Sequence, residues 1–133
     1  MGAWGYNIFE NDSALDFIWE IEEAEDCLGL ITEVFTLGIS ADYLDEDDCS
    51  NILTAAAVID SALFKTEYND AEGAFDEIVE KIDVKTASKL KNLAASALEA
   101  VLGEKSELRD LWSESPDYDN WKKSITDIIE RLK

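Results

Sequence analysis

Cys27-Leu28-Gly29-Leu30-Ile31-Thr32-Glu33-Val34-Phe35-Thr36-Leu37 is the stretch on which the fold class turns. Leu28, Ile31, Val34 and Phe35 recur at helical spacing, yet the β-branched content would equally suit a strand. A strand needs a partner, and no other segment of the chain reads as one. The segment is therefore predicted to be a helix, with Gly38 as the C′ residue that ends it.

Working outward, the same 3.6-residue period covers almost everything else. From Asp12, the apolar residues Ala14, Leu15, Phe17, Ile18 and Ile21 fall on one side of a helix. Asp12, Asp16, Glu20 and Glu23 fall on the other side as a carboxylate stripe. Like charges four residues apart cost roughly 0.2–0.5 kcal/mol per pair, so the stripe is tolerated rather than helpful to the helix. Asn11, Asp12 and Ser13 supply capping chemistry at its start.

Beyond Gly38 a loop carries Asp42, Asp45, Glu46, Asp47 and Asp48. Asn51–Leu63 then reads as a well-buried helix with Ile52, Ala55, Ala56, Ile59, Ala62 and Leu63 inward. The acidic run would precede its N-terminus, where the helix dipole favours negative charge. Lys65–Gly73 reads as a loop and Ala74–Ile82 as a short helix. Asp83 is predicted to cap the longest helix, with Ala87, Leu90, Ala94, Ala97, Leu98 and Val101 inside and Gly103 at its end. Lys81, Lys85 and Lys89 form a basic stripe at i, i+4 spacing. A short helix over Ser106–Trp112 follows. Ser115 and Pro116 read as the N-cap and N1 positions of a last helix with Trp121, Ile125, Ile128, Ile129 and Leu132 on its apolar face. The expectation is one compact all-α domain over residues 1–133, a bundle of five to seven helices.

The charge is strongly one-sided. The chain has 31 Asp/Glu, 11 Lys/Arg and a net charge of −20. Residues 1–80 hold 21 of the acids and one cation, Lys65, whereas residues 81–133 hold 10 acids and 10 bases. A net charge of magnitude about 2–8 ordinarily suffices for solubility. The acidic part, 1–80, therefore suggests a surface that meets a basic partner, beside a charge-neutral part, 81–133. Direct nucleic-acid binding is disfavoured by the same charge. Carboxylates on successive turns can instead imitate a row of phosphates, so a cationic protein that grips nucleic acid is one partner class. Pairing of the acids with Lys81, Lys85 and Lys89 inside the fold is the competing outcome, and it would shrink the exposed field.

Residue chemistry narrows the activities. There is no histidine, which removes the commonest general base and metal ligand. No Gly-rich phosphate loop is present. The run Asp42–Asp48 lacks the glycine and terminal-Glu spacing of an EF-hand loop, so it reads as a solvated acidic loop without a dedicated metal. Carboxylate pairs suited to glycoside hydrolysis carry no weight in so acidic a chain. No cofactor is expected. Cys27 and Cys49 both have acidic neighbours, which disfavours a thiolate, and read as reduced, mostly buried residues. With no signal-peptide pattern and no apolar run of about 18 residues, the chain is expected to be cytoplasmic and not membrane-bound. Tyr6 spoils the myristoylation pattern that Met1-Gly2 would open.

The opening Met1-Gly2-Ala3-Trp4-Gly5-Tyr6-Asn7-Ile8-Phe9-Glu10-Asn11-Asp12 resembles that of a bacterial family known as domain of unknown function 4259. Members begin Met-Gly-x-Trp-Gly, then a Phe, then Asn-Asp leading into a helix. The resemblance extends through the Ala-rich helix Asn51–Leu63 and from Ala97 through Ser106-Glu107-Leu108 to Trp112. It implies a single bacterial domain and carries no assigned activity, hence no catalytic residues. The residues themselves admit two readings. Gly2 and Gly5 allow unusual backbone conformations, Trp4, Ile8 and Phe9 plug one end of the bundle, and Asn11 and Asp12 cap a helix. Alternatively the glycines admit a ligand, Trp4 stacks on it, and Asn11 or Asp12 makes the polar contact.

Three functions follow in order. The first is a non-enzymatic domain binding a basic protein through Asp12, Asp16, Glu20, Glu23, Asp42, Asp45, Glu46, Asp47 and Asp48, for example an immunity or inhibitor protein against a cationic toxin. The second is a small-ligand or divalent-metal module at Gly2, Trp4, Gly5, Phe9, Asn11 and Asp12. The third is an acidic domain whose charge serves solubility only.

Overall fold

Helix α3 (Glu46–Phe64) is nineteen residues long and packs against every other helix of the fold. Its composition explains the position. Residues Ile52 to Ala62 are buried without interruption, and a helix covered all round must be apolar and, where neighbours press close, small. Ala55, Ala56 and Ala57 meet that demand, and Thr54 satisfies its hydroxyl on Ser50 O at 2.9 Å.

The computed structural model describes residues 12–66 and 74–133. Around α3 stand α1 (Asp12–Glu23), α2 (Cys27–Ser40), α4 (Ala74–Lys81), α5 (Val84–Lys89), α6 (Lys91–Val101), α7 (Glu107–Ser113) and α8 (Tyr118–Leu132). The fold is all-α, with no strand among the described residues beyond an isolated bridge between Leu44 and Ser106. The described residues form eight helices rather than five to seven. The extra element comes from Leu90, which interrupts the expected long helix. At Leu90 (φ −92°, ψ −1°) the chain makes a tight turn, its N–H bonding Ala87 O at 2.9 Å, and α5 and α6 part there. No Gly or Pro marks the break. It follows from packing: α5 lies on α3, while α6 must also cover α2 and α8.

The decisive segment is helical, and it runs past Gly38 to Ser40. Gly38 is therefore not a C′ residue. It is buried within the last turn of the helix, where a Cβ would stand 2.6 Å from Ile52 Cδ1 and 3.5 Å from Ala97 Cβ. The missing side chain lets α2 seat against α3 and α6 together. Asp26 caps α2 by accepting from Gly29 N at 2.9 Å.

Further boundaries moved. The run Asp42–Asp48 is not all loop: Asp45 is the N-cap of α3, accepting from Asp48 N at 2.8 Å, and Glu46, Asp47 and Asp48 form the first turn. Lys65 ends that helix in the left-handed conformation (φ 60°). Ser115 and Pro116 lie in a turn, and Asp117 precedes α8. Lys85 and Lys89 share α5, but Lys81 ends α4, so the three lysines do not form one helical stripe. The capping role of Asp83 is as expected, with its carboxylate accepting from Thr86 N at 3.3 Å; Ser106, expected as the first residue of a helix, is instead the N-cap of α7 and accepts from Arg109 N at 3.1 Å.

Two polar devices join the acidic and neutral parts. Arg131 of α8 donates two hydrogen bonds, of 2.9 and 2.8 Å, to the carboxylate of Asp60, whose side chain is fully buried in α3. The α6–α7 loop clamps the α2–α3 connection: Lys105 Nζ bonds Ile39 O (3.2 Å) and Ala41 O (2.6 Å) at the end of α2. Glu107 then accepts from Glu46 N (2.8 Å) and from the Tyr43 hydroxyl (3.0 Å). Cation and anion thus sit at the helix ends whose dipoles they complement. In the core, Trp112 and Trp121 stack at 6.3 Å, with Tyr118 stacked on Trp121 at 5.9 Å.

Candidate protein-interaction surface

Helix α1 buries Ala14, Phe17, Ile18 and Ile21 and turns Asp16, Trp19, Glu20 and Glu23 to solvent. This is the amphipathic division its period demands. The buried side rests on α3, which brings α1 beside the first turn of that helix. Asp16, Phe17, Glu20, Asp47 and Asn51 consequently line one shallow hollow of about 210 Å³. Two acidic segments thirty residues apart in sequence thus become one carboxylate surface.

The other expected contributors are distributed differently. Glu23 is exposed at the far end of α1 and does not line the hollow. Asp42 and Asp45 are exposed beside the entry to α3, with Asp45 engaged as its cap. Glu46 is half-buried, its N–H held by Glu107. Asp48 is half-buried too, and its carboxyl is pushed above the ordinary range by desolvation and then by the charge of Asp45. The side chain of Asp12 lies outside the described residues, as do Gly2, Trp4, Gly5, Phe9 and Asn11, so the N-terminal pocket and the capping role of Asn11 fall there.

Five cations of the neutral part, Lys105, Arg109, Lys123, Arg131 and Lys133, are engaged away from the α1 stripe. The ion pairs among the described residues are Arg109–Asp110, Lys123–Asp127, Lys133–Glu99 and Arg131–Asp60. None of these joins Lys81, Lys85 or Lys89 to the α1 stripe. Lys81 instead lines a second hollow, of about 270 Å³, with Glu25, Asp26, Cys27 and Asp83. Among the described residues no three His, Cys, Asp or Glu side chains are grouped to hold a metal ion, and no described helix is long and apolar enough to cross a membrane. Both cysteines are free. Burial pushes the Cys49 thiol up, and its Sγ lies 3.3 Å from Ser106 Oγ.

Sequence reading passed over Trp19, which is 50% exposed. The signal was available: position 19 is three residues after Asp16 and four before Glu23, on the carboxylate side of the wheel. Trp112 and Trp121 are both buried.

The model of the domain of unknown function DUF4259 matches residues 2–124. The chain belongs to the DUF4259 family. The match takes in the opening motif, the acidic surface and all but the last turns of α8. It gives the DUF4259 chain a relationship without an activity. Neither the curated proteins nor the solved structures gave a match.

Proposed function

We propose that this DUF4259 chain is a non-enzymatic interaction domain that binds a basic protein through the acidic surface of α1 and the start of α3. One observation carries the reading: Asp16 and Glu20 of α1 and Asp47 of α3 line the same hollow, while Lys81, Lys85 and Lys89 make no ion pair with the α1 stripe among the described residues. A field of one sign focused on a concave surface steers an oppositely charged partner and speeds its encounter. An immunity or inhibitor protein of bacterial cytoplasm, covering a cationic toxin such as a nuclease, is the concrete form this takes. The absence of histidine from the sequence fits a role that depends on binding rather than proton transfer.

The test is affinity capture from the native lysate at low and at physiological salt, with the wild-type chain and an Asp16→Asn/Glu20→Gln/Glu23→Gln variant. These positions are solvent-facing, so the variant retains its packing. A stoichiometric basic protein held by the wild type, released by salt and lost by the variant is the expected result. A partner held equally by both chains at both salts would remove the electrostatic reading.

A further inference from the structure

Trp19 stands out among the exposed apolar side chains because of its surroundings. It is 50% exposed on the solvent side of α1. Asp16 lies one turn before it and Glu23 one turn after, both exposed, with Glu20 adjacent. Residues three and four apart on a helix are surface neighbours, about 5–6 Å between Cβ atoms. Glu22, three residues on, is half-buried and has one carboxylate oxygen shielded from solvent without a hydrogen-bond partner among the described residues. Tyr43, another exposed aromatic with acidic neighbours, already has its hydroxyl engaged by Glu107.

An indole framed by carboxylates favours one class of side chain. Arg presents a planar, weakly hydrated cation that stacks on aromatic faces while its N–H groups fork onto carboxylates; the ammonium of Lys is compact and strongly hydrated. Trp gives the strongest cation–π attraction, and Trp and Arg are both enriched where interfaces concentrate their energy. A second copy of this chain, with its net charge of −20, would be repelled. We infer that the exposed face of α1 is an arginine-docking surface, on which a guanidinium of the basic partner stacks on Trp19 and hydrogen-bonds Asp16 and Glu23. This rests on the acidic-surface reading and adds the residue that sets its specificity.

The experiment compares acetylated, amidated hexa-arginine and hexa-lysine peptides, binding followed by calorimetry and by the indole N–H resonance of Trp19 at low ionic strength. The wild type should prefer hexa-arginine by about 3- to 10-fold, as a cation–π contact of this kind allows. Trp19→Ala should bring the two affinities together while sparing hexa-lysine, Trp19→Phe should keep part of the preference, and the triple carboxylate variant should weaken both peptides. Equal affinities in the wild type, or a preference that survives Trp19→Ala, overturn the arginine-docking inference and leave the acidic surface standing. If neither peptide binds, or the triple variant binds both as well as the wild type does, the acidic-surface reading falls with it.

Discussion

A methyl group added at Gly38 must enter space that the Ile52 side chain already fills. The backbone at Gly38 is helical, so the question is purely one of room. An alanine Cβ would stand 2.6 Å from Ile52 Cδ1, against a favourable carbon–carbon separation of about 3.5–4.0 Å, so one group must move by roughly an ångström. Ile52 is fully buried between α2 and α6 and has little freedom to turn. Overpacking of this kind costs about 1–3 kcal/mol, and the better helix propensity of Ala offsets about 1 kcal/mol of it. Gly38→Ala should therefore destabilise by about 1 kcal/mol, a few degrees in Tm for a domain of this size. Ile52→Val deletes the atom in the way and alone costs about 0.5–1.5 kcal/mol. In the double variant the new methyl occupies the vacated space, the clash disappears and the propensity gain remains. Urea unfolding followed by far-UV circular dichroism should place it near the wild type, about 1–2 kcal/mol above the additive sum. Strict additivity of the two substitutions would refute the close approach of α2 to α3.

Arg131→Met removes the guanidinium fork from the buried carboxylate of Asp60 and should cost about 2–4 kcal/mol, below the upper range for buried pairs because Arg131 is partly solvated; Arg131→Lys should fall between, and unchanged urea midpoints would contradict the role given to this pair. The Asp48 carboxyl is raised above its ordinary range in the folded chain, so the folded state binds the proton more tightly and this group's stability contribution declines as pH rises from below about 4 toward neutrality. Asp48→Asn should therefore gain on the wild type at neutral pH and lose that advantage in acid, an order that thermal melts across the pH range would reverse if the raised value were wrong. Cys49 is buried with its thiol pushed up, whereas Cys27 is half-exposed; a thiol reagent at neutral pH should label Cys27 first and Cys49 only on unfolding, and equal labelling of both in the native state would count against the packing around Ser106.

The helices were legible where one face alone is covered. The apolar positions of α8 and of α1, and the cap Asp83, depend on local spacing and local hydrogen bonds, which a sequence states directly. Misreadings arose where a residue answers to a distant neighbour. Gly38 looked like a terminator because the demand for a missing Cβ comes from Ile52 and Ala97 on other helices. Leu90 carried no breaker because the bend is imposed by what α5 and α6 cover. The start of α3 was placed too late, since Glu107, sixty-one residues away, supplies part of its N-terminal hydrogen bonding. For the candidate surface, each acidic segment is visible in the sequence but their union is not, because it depends on the packing of α1 against α3.

By itself the sequence determined the all-α class, the polarisation of charge and the missing histidine, because period, composition and inventory are properties of the chain in order. Only the tertiary structure decided that the α1 stripe and the first turn of α3 share a hollow, that Arg131 answers Asp60, and that Trp19 faces water among carboxylates. Those facts depend on which helix packs on which, and burial of α3 on all sides, rather than any local preference, fixes that arrangement.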